Sequence, residues 1–220
     1  MRTRPPRLGR ASCAPGGLRF ALTRSAGARL ALAVLLLATA GPVRAGTVED
    51  ARALLTQDAP EAAERLLRAR LREAPAEVAT LAALGDAARM RCALDRAEEA
   101  YRLALERDPF DPAARAGLGE VYLLRGMPEE ALVQAERALE GARSGRTETG
   151  RTWRVKALAL LELRRFSPAL DASRKAVALS PDDPRCAEAH ASVCFRSGRM
   201  AEASISYLRA TELEPRTEEG

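Results

Sequence analysis

Small side chains return along this chain at a fixed interval. Alanine or glycine stands at Ala51, Gly85, Gly119, Ala157 and Ala191, and again at Ala63, Ala97, Ala131, Ala169 and Ala203. A third column holds Ala104, Ala138, Ala176 and Ala210, with Arg70 breaking it in the first unit. Every step is 34 residues except the one from the third unit to the fourth, which is 38. This pattern predicts units of two antiparallel helices of roughly 12–14 residues each. A methyl group or a hydrogen on one helix lets a larger residue of its partner approach closely. The joints are written into the same period. Asp111-Pro112 and Asp183-Pro184 read as an N-cap followed by proline at the first helical position. Pro109 and Pro181 end the preceding helices, and Gly126 and Gly198 mark equivalent turns suited to positive φ.

These residues resemble the tetratricopeptide repeat. Leu84-Gly85 and Leu118-Gly119-x-x-Tyr122 match its first-helix signature, and Trp153 stands where that helix favours tryptophan. Ala97-x-x-x-Tyr101-x-x-Ala104 and Ala203-x-x-x-Tyr207-x-x-Ala210 match its second helix. The resemblance implies an all-α fold, a right-handed α-solenoid of about five stacked helix-turn-helix units that bury a continuous core together. The units run over residues 46–77 (degenerate), 78–111, 112–149, 150–183 and 184–217. The segment from Gly141 to Gly150 adds four residues and lacks the joint proline, and reads as a tolerated loop insertion or a contact loop on the edge.

Charge separates the N-terminus from the rest. Residues 1–45 carry eight arginines and no acid, and the remainder holds 27 basic and 30 acidic residues, a net of −3. A folded part without basic excess argues against nucleic acid as a partner. Residues 30–40 (LALAVLLLATA) follow the basic stretch, then small residues at Ala38-x-Ala40 and Val43-x-Ala45. The apolar run is about half of what a spanning helix needs, so residues 1–45 read as a signal peptide or, uncleaved, a signal anchor. A transit peptide shares the arginine richness but lacks so apolar a run. The expected location is periplasmic or secreted, with any membrane link through the leader alone.

Catalytic chemistry is scarce. Phosphate-binding glycine loops and nucleophile elbows are absent, so neither an enzymatic activity nor a cofactor is expected. Cys186, His190 and Cys194 form C-x3-H-x3-C. Spread over two helical turns, roughly 12 Å, the three cannot converge on one ion, nor can the two cysteines pair. A metal would need a two-residue clamp with outside ligands, and packing is the expected role.

In the family that these repeats resemble, partners lie in the groove lined by successive first helices. Carried over, the candidate groove residues are Asp86, Arg89, Met90, Glu120, Leu123, Leu124, Arg151, Arg154, Leu158, Leu161, Glu162, Arg185, Ser192, Phe195 and Arg196. They join an apolar centre to arginines in the later units, suited to an acidic peptide or protein segment with an apolar anchor. The clamp for a C-terminal carboxylate is not expected, because Ala82 and Asp86 stand at its positions. After Pro215 only five residues remain, so a partner, a second copy or sequence outside this chain is expected to cover the last repeat. The function expected is a protein-interaction scaffold. The alternative is the repeat module of an enzyme or enzyme complex whose catalytic part lies elsewhere.

Overall fold

The computed structural model describes residues 47–143 and 147–213. The expected leader, the middle of the inserted segment and the chain from residue 214 lie outside the described residues. Those described form ten α-helices in five antiparallel pairs. The pairs are α1 (Val48–Thr56) with α2 (Pro60–Glu73), α3 (Val78–Met90) with α4 (Leu94–Arg107), and α5 (Pro112–Arg125) with α6 (Pro128–Arg143). They continue with α7 (Gly150–Glu162) and α8 (Phe166–Leu179), and end with α9 (Pro184–Arg196) and α10 (Met200–Leu213). None of these helices is long and apolar enough to cross a membrane.

Local chemistry sets the helix starts. Thr47 and Asp50 close a capping box on α1, each side chain accepting the other's backbone N–H. Asp111 accepts the Ala114 N–H at 2.7 Å ahead of Pro112, and Asp183 accepts the Arg185 N–H at 3.0 Å ahead of Pro184. Helix α7 follows the insertion without a joint proline. Thr149 caps it instead, taking the Thr152 N–H at 3.2 Å.

The turn inside each pair repeats one backbone conformation. Asp58, Cys92, Gly126, Arg164 and Gly198 all have positive φ, from 54° to 81°. Glycine meets this demand in two turns, and the other three place a Cβ in the left-handed region at a cost of roughly 1–2 kcal/mol each.

The small columns form the interior. Ala51, Ala63, Ala97, Ala131, Ala157, Ala169 and Ala191 are fully buried. Gly85 and Gly117 form a slot for the Tyr101 ring. A Cβ at Gly85 would lie 2.5 Å from Tyr101 Cε1, and one at Gly117 would also overlap the ring. Arg70, which breaks the third column, turns to Glu77 and donates from Nη2 at 2.8 Å.

First helices of neighbouring repeats touch one another along the stack, and among the described residues the second helices do not. The stack therefore curves with α1, α3, α5, α7 and α9 on its inner face. Arginines at the C-terminal ends of α3 and α5 tie each unit to the outer helix of the unit before it. Arg91 reaches back to Glu61 and Glu64, and Arg125 repeats the link one unit later to Asp95 and Glu98.

Candidate binding face on the first helices

The middle of the inner face is an ion network spanning three repeats. Glu120 on α5 is its centre and is buried. Arg151, at the start of α7, donates to it from Nε at 2.9 Å and from Nη2 at 2.8 Å. The same guanidinium reaches Asp86 on α3, with Nη2 2.5 Å from Oδ1 and Nη1 3.2 Å from Oδ2. Arg154 donates to Glu120 Oε1. Arg89 Nε lies 3.0 Å from Glu120 Oε2, but its N–H is not aligned for a hydrogen bond. Tyr101, held in its glycine slot, donates its hydroxyl to Asp86 at 2.7 Å.

Burial alone would push the Glu120 carboxyl up. The charges of Arg151, Arg154 and Arg89 outweigh it and hold the group well below its ordinary range. Burial pulls Arg151 down, and Asp86 and Glu120 more than reverse that, so it stays cationic. Burial, then the charge of Asp86, pushes the Tyr101 phenol up, so Tyr101 acts only as a neutral donor.

Among the described residues the network leaves hydrogen-bond donors unmet. Three guanidiniums surround Asp86 and Glu120, Arg154 also acts on Asp183, and among the described residues the buried Nε atoms of Arg89 and Arg154 lack hydrogen-bond partners. Buried polar groups are normally satisfied, so this leaves two guanidinium N–H donors for something else.

The remaining candidates fall into three groups. Leu161 is fully buried, and Ser192 is buried with its hydroxyl 3.3 Å from that of Tyr207. Leu123, Leu158 and Phe195 are half-buried, and Met90 and Leu124 are exposed. Arg185 is exposed beside Asp183, with Nε 3.1 Å from Oδ1, and Arg196 donates to Glu162 Oε1 at 2.7 Å. The arginines that the sequence groups together thus separate, two into the buried network and two into outer pairs. Sequence reasoning missed Tyr101 as a member of the face. Its signal was present, because Gly85 and Gly117 leave room for one large ring.

Helical pairs stacked in register, with the first helices inside and the second outside, define a helical-repeat solenoid. The tetratricopeptide-repeat family model matches residues 48–112, 93–147 and 154–216, so the chain belongs to the tetratricopeptide-repeat family. Solved structures agree on the fold. A thermophilic protein of this family from Thermus thermophilus is 22% identical, with a TM-score of 0.67 over 77% of this chain and 91% of its own. MamA from Desulfovibrio magneticus RS-1, from residue 41 to its end, is 21% identical, with a TM-score of 0.53 over 82% and 100%. YrrB, a member with an unusual peptide-binding site, is 26% identical, with a TM-score of 0.50 over 68% and 75%. No curated protein matches the chain. Members of this family are generally interaction scaffolds rather than catalysts.

Proposed function

We propose that the protein is a non-enzymatic scaffold whose inner face holds an acidic segment of a protein partner. The observation that carries this reading is the cluster of Arg89, Arg151 and Arg154, in which the Nε donors of Arg89 and Arg154 have no hydrogen-bond partner among the described residues. A carboxylate arriving there meets donors already desolvated and already held in place, so it gains charge-assisted hydrogen bonds at little ordering cost. Met90, Leu124, Leu158 and Phe195 supply apolar surface at neighbouring registers for an anchoring side chain. The peptide-binding role of YrrB supports such use of this fold.

A peptide array probed with the full chain tests the reading. Acidic segments carrying an apolar residue are expected to bind, and Arg89→Gln is expected to reduce their signal about tenfold. Selection of basic or uncharged segments, or binding indifferent to Arg89→Gln, would count against it.

The basic, apolar leader supports export, so the partner belongs outside the cytoplasm. Sequencing the N-terminus of protein recovered from cell fractions checks this, and Arg2 retained in a soluble cytosolic fraction would reject it. Self-association is the second reading, supported by Ile205 and Leu208, which are 70% and 61% exposed on α10. Sedimentation of the full chain and of Ile205→Glu/Leu208→Glu tests it. A concentration-dependent dimer lost in the variant is expected if copies meet there, and two unchanged monomers exclude it.

A further inference from the structure

A second basic groove lies on the outer side of the solenoid. Helices α4 and α6 do not touch, and α5 packs against both and floors the gap between them. The gap is an open groove of about 330 Å³, with Arg115, Leu118 and Tyr122 of α5 at its floor and Gln134 and Arg137 on the α6 side. Arg115 is the exception at its register, where the other repeats place Leu81, Trp153 and Ala187. Gln134, which holds it, stands where the others place Ala100, Ala172 and Ser206. The fold is therefore built with apolar or small side chains at both positions. A buried guanidinium in their place costs desolvation, which packing alone does not explain.

The Arg115 head group is fixed by neutral acceptors only. Its Nε and Nη2 donate to the Pro109 carbonyl at 2.8 and 2.6 Å, and its Nη1 donates to Gln134 Oε1 at 2.6 Å. Of five N–H groups, one on Nη1 and one on Nη2 remain. Arg137 is exposed, and among the described residues neither arginine makes an ion pair. Burial, then the charge of Arg137, pulls the Arg115 guanidinium below its ordinary value, and Glu140 offsets this in lesser part. Arg102 also lines the groove but is taken by Glu98, and the groove's own acid, Glu106, stands exposed on the opposite helix.

We propose that this outer groove docks a peptide segment of a protein partner, with Arg115 and Arg137 taking the carboxylate of an acidic side chain and the apolar floor taking the residue beside it. The site is independent of the inner-face function. The two oxygens of a carboxylate suit the two N–H groups left on Arg115, whose head group is already held in place and pays little ordering cost. Arg137, long and exposed, closes over the acid as a second cation. Leu105, Leu118 and Tyr122 offer the neighbouring apolar contact. On either side, Leu103 of α4 and Val133 of α6 are 42% and 44% exposed. They stand outside the groove, where a free small acid seated in it gains nothing from them and a peptide segment does.

An NMR titration of the full chain, following the Arg115 Nε–H signal, tests the site with a terminally blocked peptide carrying glutamate between leucine and phenylalanine. The expected result is a saturable shift of that signal, absent with the glutamine version of the peptide. Arg137→Gln, on an exposed side chain that the fold does not need, should weaken the affinity read from that shift about tenfold. Arg89→Gln should leave it unchanged, which separates this groove from the inner face. Arg115→Leu, which copies Leu81 at the same register, should fold by circular dichroism and lose the peptide-induced shifts around Leu118 and Tyr122. No shift at Arg115, an equal shift with the glutamine peptide, or indifference to Arg137→Gln would overturn the site. An equal shift with acetate alone at the same concentration would overturn the peptide as its occupant.

Discussion

On the inner face one register position carries Asp86 and Glu120 in the second and third repeats, then Leu158 and Ser192 in the fourth and fifth. The two halves bury different things. In the first half the carboxylates draw Arg89, Arg151 and Arg154 into a desolvated cluster, with Arg151 bridging α3, α5 and α7. In the second half nothing acidic waits at that register. Arg185 and Arg196 settle instead on Asp183 and Glu162, where water screens the pairs. A single column thus decides whether arginines become part of the interior or stay on the rim. It also decides where an incoming acid finds the stronger site, because charge–charge attraction grows as water is excluded.

The largest expected effect comes from removing the shared acceptor. Glu120→Ala leaves three guanidiniums facing one carboxylate and should lower stability by about 3–5 kcal/mol. Glu162→Ala, which breaks the outer pair with Arg196, should cost less than about 1 kcal/mol. Urea denaturation of both proteins reads the contrast, and equal losses would erase the distinction between the halves.

Filling the ring slot comes next. Gly117→Ala drives a methyl into the Tyr101 ring and should cost about 1–3 kcal/mol. Thermal unfolding checks it, and the double variant Gly117→Ala/Tyr101→Leu should recover part of the loss.

Acid offers a reversible version of the first test. The Glu120 carboxyl is depressed in the folded state, so its contribution is complete above its ordinary value of 4.5 and fades as the pH falls below that. The urea midpoint of the wild type should fall more steeply with acid than that of Glu120→Gln. Parallel profiles would mean that the carboxylate is not held by the network.

The smallest effect lies in a turn of the second half. Arg164 is exposed, with φ of 60°, where Gly126 and Gly198 stand in the equivalent turns. Arg164→Gly should raise stability by about 1 kcal/mol, measured by its denaturation midpoint. No gain would mean that the turn is relaxed without glycine.

The repeat phase was legible because small residues, joint prolines and capping aspartates each serve a local need, so their spacing survives in one dimension. Ala97, Ala131 and Ala169 were readable as interior for that reason, and they are fully buried. The network was not legible. Arg151 reaches a carboxylate 65 residues away, and no local pattern states which long side chain points inward. Glu98 shows the same limit. In the sequence it reads as an acid complementing a helix start, yet it joins the Arg125 link between repeats. Glu202 likewise reaches His190 and Cys194 only through the turn between α9 and α10, which no local pattern states.

The most direct test of the central claim is the thermal midpoint of the full chain with a short acidic peptide carrying one apolar residue, at low and at high salt. The arginine cluster on the inner face should give a rise at low salt that shrinks as salt is added and is largely lost in Arg89→Gln. No rise with the acidic peptide, or an equal rise with its basic counterpart, would contradict it.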